Sequence, residues 1–477
     1  MRKIECDVAV IGAGSAGLSA YRAASTHDKR VVLIEGGAYG TTCARVGCMP
    51  SKLLIAAAEA AHAVDTADGF GIRVAGMQID GKAVMQRVKS ERDRFVGFVL
   101  DSVDGIPEDH RLRGHARFLA PNLLQVGDDM EVHAERIVIA TGSRPAIPDN
   151  LQGLGKHLII SDDVFDWDDL PDSVAVIGAG VIGLELGQAL HRLGVRVTVF
   201  GRGARLAQIA DDVVNKKAIE SIGAEIDLRM KTEVVSTRLV GDEVELKSHD
   251  ADGKTRTERF RFILAATGRR PNVDQMGLEL TGLQLDDKGI PVFDSLTMQC
   301  GESSIFLAGD ANNDRPLLHE ATDEGRIAGD NAARFPDVAD GLRRLALSVA
   351  FTDPQIASIG KTPRDLEENS YMTGEVSFDN QGRSRVMRQN RGLLRLYGER
   401  GTHRLLGAEM VGPRAEHLAH LLAWSCQSGL TVGQMLDMPF YHPVIEEGLR
   451  TALRDLKENL LKHVSDIEHC ADCTPGI

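Results

Sequence analysis

Short, continuous apolar runs that stop at glycine clusters set the rhythm of this chain. Asp7-Val8-Ala9-Val10-Ile11 leads into GAGSAG at 12–17, and Val174-Ala175-Val176-Ile177 leads into GAGVIG at 178–183. An apolar run bounded in this way predicts a strand buried on both faces, and the stretch after each glycine cluster predicts a helix. A second strand is predicted after each helix, at 30–35 and at 196–200. In each unit the first glycine (Gly12, Gly178) permits a tight turn. The second (Gly14, Gly180) lets a pyrophosphate approach the backbone, and the third (Gly17, Gly183) allows close helix packing. One such motif is a weak signal, but two in strand–helix context are a strong signature of nucleotide units. The duplication continues in IVIATGSRP at 137–145 and ILAATGRRP at 263–271, both read as buried strands ending in a turn. Thr141 and Gly142 in the first of these turns and Gly268 in the second are assigned to cofactor binding.

The pattern changes near residue 280. SSIFLAGDAN at 303–312 reads as one more short buried strand, ending at Asp310. An acid at the carboxyl end of a parallel strand sits where doubly wound sheets bind ligands, although a helix-capping aspartate is the plainer alternative. From about 346 the chain has strand-like segments at 348–351, 392–397 and 405–411, then long amphipathic helices near 413–429 and 446–463. That mixture predicts an α+β module with a broad face to bury, read here as an interface domain.

Composition narrows the partners. The net charge is −14 and the pI about 5.6, with no Lys/Arg block, which argues against a nucleic-acid or anionic-membrane surface. The longest candidate apolar stretch, around 53–63, is interrupted by Glu59 and His62, so no membrane span is expected. The start MRKIECDVAVIGAG passes directly into a strand without a signal core, and a cytoplasmic location is expected. Seven cysteines, an odd count, suit reduced thiols plus one working pair better than a disulfide framework.

That working pair is sought in GTTCARVGCMPSK at 40–52. Cys43 and Cys48 are five residues apart, about one and a half helical turns, so they can bond only across an irregular turn, which Gly47 and Pro50 are expected to supply. If the run at 53–58 is helical, both sulfurs lie near its N-terminal end, where the dipole favours a thiolate. Two buried cysteines beside a loop is the bland alternative. Glu35 stands eighteen residues beyond Gly17 and would accept hydrogen bonds from a ribose diol, a requirement FAD meets. The same count from Gly183 reaches Gly201, with Arg202 and Arg205 following. A missing acid beside two guanidiniums leans towards the 2′-phosphate of NADPH, with a solvated Arg-rich turn as the competing reading. His442 opens HPVIEE and, oriented by Glu447, is the leading candidate for a thiol base. Lys52 and Glu185 could both approach a flavin ring between the two nucleotide sites, where an ion pair would stabilise negative charge on the reduced flavin, or equally be exposed charges. No metal-ligand set is assigned.

GAGSAG, TCARVGCMPSK, ATGSRP, GAGVIGLELG, ATGRRPN, FLAGDAN, FTDPQIASIG and YHPVIEEGLRTALRDL occur in the order seen in the pyridine nucleotide-disulfide oxidoreductases. The chain resembles that family nearly end to end, most closely its dihydrolipoamide dehydrogenases. The resemblance implies an α/β protein with two Rossmann-like domains, for FAD and for NAD or NADP, and an α+β C-terminal dimerisation domain. The expected divisions are 1–150 and 279–345 for the FAD and central part, 151–278 for an inserted NAD(P) domain, and 346–477 for dimerisation. It further implies a homodimer in which Cys43 exchanges with substrate and Cys48 faces the flavin. His442 and Glu447 would serve the partner subunit's site, Lys52 and Glu185 would sit beside the flavin, and Asp310 would bind its ribitol region.

The departures are Thr41-Thr42 for a usual Gly-Thr, Ala44-Arg45 for Leu-Asn, Val444 for Thr, and the lost acid at 201. The implied function is passage of electrons from dihydrolipoyl groups through a Cys43/Cys48 disulfide and FAD to NAD(P). The substrate would be a small dithiol or the lipoyl domain of a multienzyme complex. The rival is an NADPH-dependent reductase of glutathione-like disulfides or metal ions, and a third reading makes the chain chiefly a component docked on an acyltransferase core. Cys470 and Cys473 form a terminal CxxC, read as incidental or as an electron or metal relay.

Overall fold

The computed structural model describes residues 1–471, with side chains through Lys462. The expected apolar runs are the centre of the first sheet. Its strands lie in the order Arg111–Arg113, Val31–Glu35, Arg2–Ile11, Met130–Ile139, Leu123–Val126 and Ala116–Ala120, and Ile305–Leu307 pairs with Met130–Ile139. Val8 pairs with Val31 and Ala9 with Ile137, both in parallel ladders, and Ile137 pairs in turn with Ile305. Val8 to Ile11 are buried because helices Ser15–Ala24 and Leu318–Arg334 pack on one face of the sheet, while Val273, Met276, Leu278 and Ile290 cover the other. A strand from beyond residue 300 thus completes a sheet begun at residue 2, and the second nucleotide unit lies between them in sequence.

That second unit is a parallel sheet in the order Asp227–Met230, Arg196–Gly201, Ser173–Ile177, Phe262–Ala265 and Leu158–Ile159. A three-stranded meander, Glu233–Val240, Glu243–His249 and Thr255–Phe260, accompanies it. The two ATG turns meet: Ser143–Pro145 and Arg269–Pro271 form an antiparallel pair that ties one nucleotide unit to the other. Helices Ser15–Ala24 and Leu318–Arg334 cross at small residues, where a Cβ on Gly325 or Gly329 would drive into the carbonyls of Ala16 and Ala20.

The C-terminal module is a five-stranded sheet in the order Leu347–Ala350, Gln355–Gly360, Leu405–Gly412, Leu393–Glu399 and Tyr371–Ser377. Helices Ala415–Gln427 and Glu446–Ala471 pack on it, with Leu418, Leu422, Leu449, Leu453 and Leu456 in one core. The final helix extends beyond the expected 446–463. Among the described residues no helix is long and apolar enough to cross a membrane.

Candidate active site

The two thiols stand on two helices separated by one residue. Thr42–Val46 is a short turn of helix, Cys48–Asp65 is long, and Gly47 (φ −129°, ψ −116°) breaks the backbone between them. A Cβ on Gly47 would lie 3.0 Å from the Thr42 carbonyl oxygen and 3.2 Å from Cys43 Cα, so glycine is what lets the two helices close up. Pro50 departs from the expectation. It is inside the first turn of the long helix, where a missing N–H removes no helical bond, and contributes no irregularity. Thr41 has φ +57°, a conformation that favours glycine, and its Oγ1 accepts from Ala44 N–H at 3.2 Å to cap the short helix.

Cys43 is half-buried and Cys48 exposed, both as thiols. The hydrogen bond between them is the largest influence on each: it holds Cys48 down at about 7 and drives Cys43 well above the ordinary thiol range. Burial opposes the lowering of Cys48, and the Lys52 ammonium adds to it. Cys48 is also the first residue of its helix, where the dipole favours an anion. Of the two sulfurs, Cys48 is thus the one favoured as a thiolate, and Cys43 the one that keeps its proton.

Lys52 and Glu185 are brought together, as expected. Nζ lies 2.7 Å from Glu185 Oε2, and the Glu185 side chain is buried. A residue that sequence reasoning missed completes the group. The Phe351 N–H donates to Glu185 Oε1 at 2.9 Å, and the Phe351 ring lies 4.6 Å beneath Lys52 Nζ. The segment carrying Phe351 is fixed by one face of helix Val181–Arg192. Glu185 takes Phe351 N–H, Gln188 exchanges hydrogen bonds with the Asp353 backbone, and Arg192 pairs with Asp353 Oδ2 at 2.9 Å. The spacing of 185, 188 and 192 is a helical stripe and was the available signal.

His442 and Glu447 also form the expected pair, with Nδ1 3.0 Å from Oε1 and 3.1 Å from Oε2. That contact, with a hydrogen bond from Val444 N–H, holds the Glu447 carboxyl below its usual range. Within one chain no hydrogen bond or ion pair among the described residues joins them to Cys43 or Cys48, and the His442 side chain is 79% exposed.

The glycine clusters separate by role. A Cβ on Gly12 or Gly17 would collide with the Ala140 or Gly12 carbonyl, and one on Gly178 or Gly183 with the Ala266 or Gly178 carbonyl. The middle glycines, Gly14 and Gly180, would meet nothing within 4 Å. The outer glycines are therefore required by the protein itself, while the middle ones leave open backbone at a helix N-terminus, as a pyrophosphate needs. Gly142 (φ +67°) and Gly268 (φ +114°) likewise face open space. Glu35 sits beside the first cluster, accepting from Ala13 N–H at 2.7 Å and Gly37 N–H at 2.6 Å. Asp310 lies in the turn Gly309–Asn312 and accepts from Ser143 Oγ at 2.7 Å, and Ser143 in turn accepts from Arg269 Nε at 2.8 Å.

Residues 6–325 match the pyridine nucleotide-disulphide oxidoreductase family, and residues 347–453 match its dimerisation domain. The chain belongs to this family. It is 29% identical to the dihydrolipoyl dehydrogenase of Geobacillus stearothermophilus, over 93% of this chain and 94% of that one. It is 32% identical to a mercuric reductase of Streptomyces lividans, over 98% of each. The HOCl-induced flavoprotein disulfide reductase RclA of Escherichia coli, solved with Cu(II), superposes with a TM-score of 0.78 at 21% identity, over 94% of this chain and 99% of that one, a likeness of fold. As a pyridine nucleotide-disulphide oxidoreductase the chain is an FAD-dependent enzyme that works with NAD(P)H, and its dimerisation domain supports a homodimer.

The first unit fits FAD on its own geometry. Beside the open Gly14 backbone and the Glu35 carboxylate, the buried Thr141 Oγ1 has no hydrogen-bond partner among the described residues. The two arginines beyond Gly201 are unlike one another. Arg205 donates to the Ile209 and Ala210 carbonyls at 2.9 and 2.7 Å and to Asp212 at 2.6 Å, so it staples its own loop, whereas Arg202 is exposed. Cys470 and Cys473 lie outside the residues whose side chains are described.

Proposed function

We propose that this enzyme is a dihydrolipoyl dehydrogenase, oxidising the dihydrolipoyl groups of a multienzyme complex or a small dithiol. The observation that carries the reading is the division of labour between the thiols, since a Cys43/Cys48 disulfide has one good leaving group, Cys48. A thiolate of the incoming dithiol attacks the Cys43 sulfur, the Cys43/Cys48 bond breaks, and Cys48 leaves as a thiolate held by Lys52. His442 of the partner subunit takes the proton of the attacking thiol, and Glu447 of the partner subunit orients its ring. The second dithiol sulfur then attacks the mixed disulfide, which closes the lipoyl disulfide and releases Cys43 as a thiol. Gly14, Glu35, Thr141, Gly142 and Asp310 would hold FAD, and Gly178, Gly180, Gly183 and Gly268 would frame the seat of the nicotinamide coenzyme; the flavin would supply two-electron transfer between the Cys43/Cys48 pair and that coenzyme.

The same residues run in the opposite direction in the second reading, an NADPH-dependent reductase of low-molecular-weight disulfides or metal ions. The absence of an acid at 201 favours it, as does 32% identity to a mercuric reductase. Parallel steady-state rates decide between them. Dihydrolipoamide with NAD should give the higher kcat/KM under the first reading, and NADPH with a disulfide panel or Hg(II) under the second. An account built on these thiols would be wrong if Cys43→Ser retained turnover in both assays.

A further inference from the structure

We propose that Glu409, in the dimerisation sheet, is a positioning residue for the nicotinamide coenzyme, acting through the loop 202–211 on the glycine turn of the second nucleotide unit. The inference rests on the reading of that unit as the nicotinamide site. The loop leaves the carboxyl end of strand Arg196–Gly201, where this architecture binds ligands, and runs to helix Asp212–Gly223. On the way it touches the turn. Ala207 N–H donates at 3.0 Å to the carbonyl of Ala179, which stands between Gly178 and Gly180. Ala207 and its neighbour Gln208 have φ +44° and +64°, left-handed values that residues with a side chain keep only where their surroundings impose them. The contact with the turn therefore depends on what holds the ends of the loop.

The near end is held by the nucleotide unit itself, since Asn215 accepts from Leu206 N–H at 2.9 Å and donates to the Ala204 carbonyl at 2.9 Å. The far end is held from another domain. Glu409, on strand Leu405–Gly412, accepts from Ala210 N–H at 2.9 Å with one carboxylate oxygen and from Asp211 N–H at 2.7 Å with the other. The Asp211 side chain caps helix Asp212–Gly223 by accepting from Val213 and Val214 N–H at 2.8 and 3.2 Å. It also accepts from Arg395 Nη1 at 2.8 Å and from Tyr397 Oη at 3.1 Å, and Arg395 is the cross-strand neighbour of Glu409. Glu409, Asp211 and Tyr397 are all buried. A carboxylate is costly to bury, and here both of its oxygens are directed at backbone donors of the loop, which would be left unpaired without it. A side chain of the dimerisation sheet thus reaches, through Ala210 and Ala207, the backbone on which a pyrophosphate would rest.

Calorimetric titration of the oxidised, FAD-loaded enzyme with NAD⁺ and with NADP⁺ tests the role without turnover. Glu409→Gln keeps the shape but has one acceptor oxygen in place of two, and should weaken the better-bound coenzyme about tenfold, as expected for loss of one hydrogen bond to a charged group. Its flavin content and the alkylation rate of Cys48 should not change. Lys217→Gln removes the ion pair of helix Asp212–Gly223 with Asp379 of the same module and no loop contact, and should stay within about twofold of the wild type. In the wild type, saturating coenzyme should in turn slow amide hydrogen exchange across 202–211, because coupling between loop and coenzyme is reciprocal. Unchanged affinity in Glu409→Gln would overturn the proposal, as would equal weakening by Lys217→Gln or a loop whose exchange ignores the coenzyme. A wild type that binds neither coenzyme would instead sink the reading of the second unit itself.

Discussion

At the residue scale the chemistry is decided by an asymmetry between two sulfurs. Their sequence spacing identifies the pair, but not which becomes the thiolate, because that depends on a hydrogen bond across Gly47 and on an ammonium one helical turn away. With Cys48 lowered from 9.0 to about 7, alkylation of the reduced enzyme by iodoacetamide should rise between about pH 6 and 8 and level off above. The sign follows from the thiolate being the reactive form, so a lowered value makes the protein reactive at a more acidic pH than a free cysteine. Cys43→Ala removes the larger cause and should shift the midpoint upwards by more than Lys52→Met, which removes a smaller one. A midpoint that stays near pH 7 in both variants would show that neither group sets it. Pro50 shows what a residue-level reading cannot see: in isolation it signals a break, yet the first turn of a helix tolerates it.

At the element scale the glycine turns and buried strands were legible because their pattern is local. Both GxGxxG turns open helices, and the strand at 305–307 lies within the expected 303–312 segment. The pairing of Ser143–Pro145 with Arg269–Pro271 and the seat of Phe351 on helix Val181–Arg192 were not legible. Each joins segments more than a hundred residues apart, and nothing in either segment announces its partner. The crossing of Ser15–Ala24 with Leu318–Arg334 is of the same kind and gives a sharp test. A methyl group on Gly325 meets Ala16 backbone, which cannot rotate away, so Gly325→Ala should destabilise the FAD unit by about 1–3 kcal/mol. Thermal unfolding followed by circular dichroism should show a lower midpoint and earlier release of bound flavin. An unchanged midpoint would mean that the helices are not in this close contact.

At the scale of the whole molecule, the His442 and Glu447 pair is well formed but turned to solvent within one chain. The residues themselves name the pair and its mutual role, whereas its service to the partner subunit's site was implied by the family resemblance alone, because no local pattern encodes a contact with a second copy. The dimerisation domain and this exposure lead to a quantitative expectation. Cys43→Ser and His442→Gln homodimers should each be inactive, yet a 1:1 hybrid preparation should recover about one quarter of wild-type turnover. Half of the dimers are hybrid, and each hybrid holds one site with both groups intact. No recovery would place thiols and base in the same subunit.

The central claim is that Cys43 and Cys48 open and close as one redox couple. Its most direct test is a thiol count on the yellow enzyme, denatured under anaerobic conditions before and after reduction by an excess of NADPH or NADH. The account predicts a gain of two titratable thiols per chain, lost in both Cys43→Ser and Cys48→Ser. A flavin that bleaches fully while the thiol count stays constant would contradict it.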